Sequence, residues 1–247
     1  MSQKVKSELK FFSKSPTEPI YDRCLAERVI LLADLKPKSL ILDAGCGGGY
    51  WGRVFAGSGH RAVGIDLVPR VISRAAKKAV TGQSFLVGNL LKQLPFTKKN
   101  FDGIICGFIL HHFPDKDDLD TVVNNLKNCL KQNGKIILVE PNGSNPIVSI
   151  SRRIGRLLFH YYPQEIASEN ETVHSIEIYQ NLLEENKMKI LKIESYHHND
   201  MVIEKKIKDR FINTLVMIRT LLLNIIWAIS PEPYRGSEII IIAQLKS

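Results

Sequence analysis

The chain has 247 residues, a formal charge of +9 and a pI near 9.3, with 44% hydrophobic and 24% charged residues. Such a composition excludes a disordered chain, which lacks apolar surface to bury, and a collagen-like or disulfide-stapled one. The length suits one large domain or two small ones, and a core of that size needs no cross-links.

Between 39 and 141, short apolar runs alternate with helical patterns. Residues 39–44 (SLILDA), 60–66 (HRAVGID), 84–88 (SFLVG), 101–106 (FDGIIC) and 135–140 (KIILVE) read as strands. Their continuous apolar character suits parallel strands covered on both faces. A helix over 50–56 follows a glycine run, and one over 68–80 carries Pro69 in its first turn, where a missing N–H costs nothing. A third, over 117–132, opens on acidic residues and stops at Asn133-Gly134. Alternation of this kind means βαβ units with right-handed crossovers. Beyond 141 the pattern loosens. A helix over 174–185, a strand over 188–196, a long helix over 204–229 and a last strand over 238–245 (EIIIIAQL) are expected.

Cys24, Cys46, Cys106 and Cys129 are widely spaced with no CxxC pair, so reduced thiols in a cytoplasmic setting and no metal cluster are expected. The polar stretch 1–10 has no apolar run of the signal-peptide type. The excess of lysine and arginine reads first as solvated surface, because these residues are scattered along the whole chain.

The stretch Leu42-Asp43-Ala44-Gly45-Cys46-Gly47-Gly48-Gly49-Tyr50 carries most of the functional information. A strand runs into a glycine turn and then a helix, the place where doubly wound sheets bind ligands. Gly47, Gly49 and Gly52 satisfy GxGxxG, but Gly52 falls inside the expected helix, so a dinucleotide fingerprint is weak. Asp43 beneath the loop would repel a pyrophosphate and attract an ammonium or a sulfonium. Asp66 ends the second strand, where an acid accepts hydrogen bonds from ribose hydroxyls. Together the two acids point to a nucleoside with a cationic amino-acid tail and no phosphate. Each alone has a plainer reading, as a turn-capping or helix-capping carboxylate.

The D-x-G-x-G loop with an acid ending the next strand resembles the class I S-adenosylmethionine-dependent methyltransferases. So do Gly88-Asn89, Leu94-Pro95-Phe96, Asn100-Phe101-Asp102, Ile109-Leu110-His111-His112-Phe113 and Glu140-Pro141, which look like the small-molecule branch of ubiquinone and menaquinone methyltransferases. The resemblance covers about 41–141 and implies S-adenosylmethionine as donor and S-adenosylhomocysteine as product. It also implies a Rossmann-like, doubly wound α/β sheet of seven strands, mostly parallel with an antiparallel last strand, in a single domain over 1–247. Within it, 1–38 would be an N-terminal helical lid and 39–141 the donor-binding core. Residues 142–236 would be acceptor-side segments, and 237–247 the last strand. By the same resemblance Asp43, Gly45 and Gly47 cradle the methionine moiety and Asp66 holds the ribose. Leu67 packs on adenine, Asn89 faces the adenine amino group, and Gly107 and Phe108 line the methionine side. Asn89 departs from the family, which usually has Asp there. Its amide can still accept and donate.

The acceptor side is less defined. A base near neutral pH points to histidine. His111, His112, His174, His197 and His198 are the candidates, with His112 first and His111 beside it; packed or exposed structural histidines are the plainer reading. Glu140 is a second candidate, or a brace for its loop. The expected acceptor is small and apolar or lipid-like, and nucleic acid is not expected; by the resemblance, the absence of an NPPY-type tetrapeptide after the fourth strand argues against methylation of an exocyclic base nitrogen. A protein or RNA methyltransferase, suggested by the charge, and a non-catalytic nucleoside binder or scaffold stay open as alternatives. The 204–229 helix is apolar nearly all round and must be buried by something. An acceptor-pocket lid is expected first, and a peripheral membrane contact or a homodimer contact are the other two readings.

Overall fold

Apolar runs flanked by glycine turns and amphipathic helices build a seven-stranded sheet. The computed structural model describes residues 23–96, 99–150, 153, 171–197 and 210–246. In chain order the elements are α1 (Arg23–Ala33), β1 (Leu40–Ala44), α2 (Tyr50–Gly57), β2 (Arg61–Asp66), α3 (Pro69–Lys77), β3 (Gln83–Val87) and β4 (Phe101–Gly107). There follow a 3-10 turn (Leu110–His112), α4 (Lys116–Cys129), β5 (Leu130–Pro141), α5 (Ile176–Glu185), β6 (Met188–Tyr196), α6 (Arg210–Ile229) and β7 (Glu238–Leu245). The strand order is β3-β2-β1-β4-β5-β7-β6, with β7 running against both its neighbours and the rest parallel. This is the expected Rossmann-like sheet with its antiparallel last strand.

The unbroken apolar strands are explained by two core layers. Ile104, Ile136, Leu138, Ile239 and Ile241 face one layer with α4 and α5, while Ile105, Ile137, Val139, Ile240 and Ile242 face the other with α1 and α2. Each fully buried side chain of this size contributes about 1.5–3 kcal/mol. In the stretch expected to form a lid, α1 is part of this core. Its Leu25, Ala26, Val29 and Ala33 are buried against Trp51 and Phe55, and Arg28 holds Glu194 of β6 through two hydrogen bonds. Residues 1–22 of that stretch lie outside the described residues.

Several boundaries differ from expectation: α3 ends at Lys77 instead of 80, and β5 begins at Leu130 instead of 135. α4 stops at Cys129, because Leu130 already pairs with Phe101 of β4. Asn133-Gly134, expected to end the helix, sits inside β5. Asn133 there takes a left-handed φ of 63° and the chain turns before Lys135 rejoins the ladder opposite Gly103. α5 begins at Ile176 instead of 174. The part of the long helix over 204–209 lies outside the described residues.

Candidate active site

The glycine loop is held open by backbone that only glycine adopts cheaply. Gly45, Gly47 and Gly49 have φ of 70°, 48° and 78°. The N–H groups of Gly45 and Cys46 both donate to the Ile65 carbonyl, at 2.8 and 2.9 Å, which ties the loop to the end of β2. A Cβ at Gly45 would meet Ile109, and one at Gly49 would meet Phe85. A Cβ at Gly47 would meet nothing within 4 Å, so this glycine borders open space.

Both predicted acids converge on this loop. Asp43 is buried, and its Oδ2 accepts the Gly52 N–H at 2.9 Å from the first turn of α2. Burial pushes its carboxyl up to about 7, with the Asp66 charge adding to the rise and the Gly52 hydrogen bond and Arg53 opposing it. Asp66 accepts from Gly47 N–H at 3.0 Å through Oδ2 and from Val68 N–H at 2.9 Å through Oδ1. Its carboxyl is also raised by burial, against the pull of these backbone donors. Each carboxylate oxygen has a second lone pair to offer a hydroxyl. Leu67 and Asn89 are half-buried just past the ends of β2 and β3. Asn89 Oδ1 accepts the Leu91 N–H at 2.9 Å, so its side chain also shapes the turn after β3.

Gly107 closes β4 directly above Trp51, where an added Cβ would strike the indole. Phe108 follows with a φ of 59°, a left-handed conformation that costs a non-glycine residue about 1–3 kcal/mol and re-aims the chain at the carboxyl edge of the sheet. Its N–H donates to Val139 O at 2.8 Å, joining the β4 and β5 ends.

The next residues form a second constellation. Glu140 is fully buried, and its Oε1 accepts the N–H groups of Ile109 and Leu110 at 2.9 and 2.7 Å. Its Oε2 takes the Nδ1–H of His111 at 2.8 Å. The carboxylate can only accept, so Nδ1 is the donor in this bond. His111 is buried, while His112 is half-buried with its ring centroid 4.2 Å from that of His111. The chain leading into α5 passes here, and Thr172 N–H donates to His111 O at 2.7 Å. Ring nitrogens of His111 and His112 and a carboxylate oxygen of Glu171 all lie within 4.8 Å of one another. A divalent cation would have to draw such atoms to within about 4 Å of each other, given ligand bonds of about 2.0–2.2 Å.

Other candidates settle elsewhere. His174 is buried, donates from Nε2 to Phe113 O at 3.0 Å and packs edge-on to Tyr179; burial lowers its pKa, so it is a neutral strut. His197 binds Asn224 of α6 at 2.7 Å and stacks on Trp227, next to the sheet edge formed by β6. His198 lies outside the described residues. Leu94 and Phe96 are core, with Phe96 edge-on to Phe101. Sequence reasoning missed Glu171 and Thr172, which carry no motif. It also missed Asn142 and Asn145, whose buried amides hold the Pro233, Arg235 and Gly236 carbonyls and fasten the loop after β5 to the approach of β7.

Residues 42–138 match the family described as methyltransferase domain. The 18S rRNA (guanine-N(7))-methyltransferase bud23 of Schizosaccharomyces pombe is 27% identical over 145 residues, covering 59% of this chain and 49% of the relative. A demethylmenaquinone methyltransferase of Bacillus cereus is 31% identical over 138 residues, covering 53% of this chain and 55% of the relative. The chain thus spans about half the length of the curated relatives it matches. Among solved structures, a geranyl diphosphate C-methyltransferase from Streptomyces coelicolor superposes with a TM-score of 0.69 over 99% of both chains at 15% identity, a likeness of fold. Residues 42–138 thus match a methyltransferase domain, set in a Rossmann-like sheet whose strand order is shared with solved methyltransferase structures.

Proposed function

We propose that this protein transfers the methyl group of S-adenosylmethionine to a small, apolar or lipid-like acceptor at the carboxyl ends of β4 and β5. The observation that carries the reading is the Glu140–His111–His112 constellation, which begins four residues after Gly107, where the donor-side strand ends.

The donor loop fits such a donor on its own chemistry. Gly47 borders open space, and the two carboxylates beside it suit hydroxyls and cationic groups while disfavouring phosphate. Asp43, Gly45 and Gly47 would hold the methionine part, Asp66 the ribose, and Leu67 and Asn89 the adenine, with Gly107 and Phe108 lining the methionine side. The donor supplies a methyl group on a positively charged sulfur. The chain's own residues do the rest. The loop fixes the donor in line with the acceptor, which is worth several orders of magnitude in rate. The acceptor's lone pair forms the new bond to the methyl carbon, and the carbon–sulfur electrons leave with sulfur. His112 takes the proton released by the acceptor. His111, clamped by Glu140, fixes the turn that presents His112. Glu140 is a positioning residue here, because all three of its described hydrogen bonds go to this turn.

An apolar acceptor is supported by Ile109, Leu110 and Phe113, which surround the histidines in the chain and pack on the core, and by the quinone substrate in the name of one relative. A second reading, RNA as acceptor, is favoured by the +9 charge and the rRNA methyltransferase among the relatives. The test is label transfer from methyl-labelled donor into a cell extract, separated into organic, small aqueous, protein and RNA fractions. Label in the organic fraction, lost in His112→Ala, is the expected result. Label confined to RNA would replace the proposal with the second reading, and no label in any fraction would leave a binder.

A further inference from the structure

We infer that His111, His112 and Glu171 form a binding site for one divalent transition-metal cation of the zinc class, backed by Glu140. One ligand atom from each of the three lies within 4.8 Å of the others. Bonds of about 2.0–2.2 Å bring ligand atoms to within about 4 Å of each other, so the cluster closes by about 1 Å around a cation. Glu171 supplies that movement most easily, because its carboxylate sits on a long, half-buried side chain.

The backbone delivers the third ligand. Thr172 N–H donates to His111 O at 2.7 Å, and His174 Nε2 donates to Phe113 O at 3.0 Å. These two tethers lay the chain before α5 along the turn that carries both histidines, with Glu171 next to the first tether. Glu140 supplies the support behind the site. A histidine that ligates a metal typically donates its other ring N–H to a carboxylate or carbonyl, which fixes its tautomer and orientation. His111 does so to Glu140 at 2.8 Å in the core, and Glu140 is itself held by the Ile109 and Leu110 N–H groups. With Nδ1 as the donor, a neutral His111 ring carries its lone pair on Nε2, the nitrogen it offers to a cation.

The donor set selects the cation. Two imidazoles with one carboxylate suit zinc and its neighbours, whereas magnesium and calcium favour oxygen ligands. The carboxylates of Glu140 and Glu171 together balance the charge of a dication. Three protein ligands leave a fourth position for water or for an oxygen of a bound molecule. The inference stands apart from the methyl transfer proposed above. A cation on His112 occupies the lone pair that would take the acceptor's proton, so the test reads binding and not turnover.

The untagged full chain, stripped with a chelator, is titrated with Zn2+ by calorimetry and with Co2+ by visible absorption. Expected are one cation per chain and the d–d bands of mixed nitrogen and oxygen coordination. Glu140→Gln keeps all three ligands and disturbs only the support of His111, and should weaken affinity by about 10–100-fold. Glu171→Gln and His112→Ala should weaken it at least as much and alter the Co2+ bands. Both sites are half-buried, and circular dichroism checks that the variants fold. His197→Ala, whose ring stacks on Trp227 of α6, should bind as the wild type does. Absence of saturable one-to-one binding overturns the inference, and donor affinity that persists in such a chain would leave the methyl-transfer reading standing. Affinity that Glu171→Gln and His112→Ala both retain in full overturns it as well, by placing the cation elsewhere.

Discussion

Glu140 and His111 lie 29 residues apart in sequence and meet at 2.8 Å, because the parallel pairing of β4 and β5 brings the end of one strand beside the turn after the other. The pair is buried on both sides. Replacing Glu140 by Gln keeps the volume but offers an N–H where His111 needs an acceptor, so the imidazole must change tautomer or turn away. The expected result is a fall in kcat on the order of tenfold to a hundredfold with donor affinity unchanged. Nitrogen NMR of His111 would show the altered tautomer. Glu140→Ala should in addition cost about 1–3 kcal/mol of stability, since it strands the Ile109 and Leu110 N–H groups.

His112→Ala separates base from brace. If His112 takes the acceptor proton, kcat falls by about 10²–10⁴ and flattens with pH, while the melting temperature and donor binding hold. His111→Ala should instead lower both stability and kcat, because its ring is the partner of Glu140 in the core. Rates and thermal melts on the two variants decide which role belongs to which residue.

The donor-binding role proposed for Asp43 predicts a pH dependence. Its carboxyl sits at about 7 in the ligand-free fold, mainly through burial, against an ordinary value near 4. A raised acid contributes stability that is full below the ordinary value and is lost as pH rises through about 7. Donor binding has the opposite slope, because a cationic group favours the ionised carboxylate. Calorimetric affinity should therefore improve from acidic pH up to about 7 and then level off, with protons released below that point. Asp43→Asn should remove both slopes, melt higher than wild type above neutral pH and bind donor poorly.

Two glycines should fail in different ways. Gly107→Ala drives a methyl group into the Trp51 ring, and overpacking of that kind costs about 1–3 kcal/mol. Its melting temperature should drop before any kinetic effect is considered. Gly47→Ala meets no atom, and only its left-handed φ resists, at about 1 kcal/mol. It should fold and lose donor affinity. Differential scanning fluorimetry with and without donor reads both.

Tyr179 offers a stabilising change. Its ring is fully buried, and among the described residues its hydroxyl has no hydrogen-bond partner. Tyr179→Phe removes the unpaired oxygen and should raise stability by about 1 kcal/mol or more in chemical denaturation, with activity retained.

Much of this architecture could be read from residue order alone. Runs such as Ile239-Ile240-Ile241-Ile242 announce a strand covered twice, and alternate members do face opposite core layers. Asp43 and Asp66 were legible because both flank the glycine loop, and their hydrogen bonds to Gly52 and Gly47 place them there. Asn133-Gly134 misled, since the same dipeptide that stops a helix also turns a strand, and only the Leu130–Phe101 pairing tells the two apart. The clamp between Glu140 and His111 needs tertiary pairing, and the strut role of His174 depends on a carbonyl 61 residues away. α6 was hardest, because an apolar helix does not say which of its sides the rest of the chain will cover.

Register places the two ends of this molecule's chemistry on one rim. Pro141 pairs with Glu238, and Glu238 with Tyr196, so the connection that holds α6 departs and returns level with Glu140.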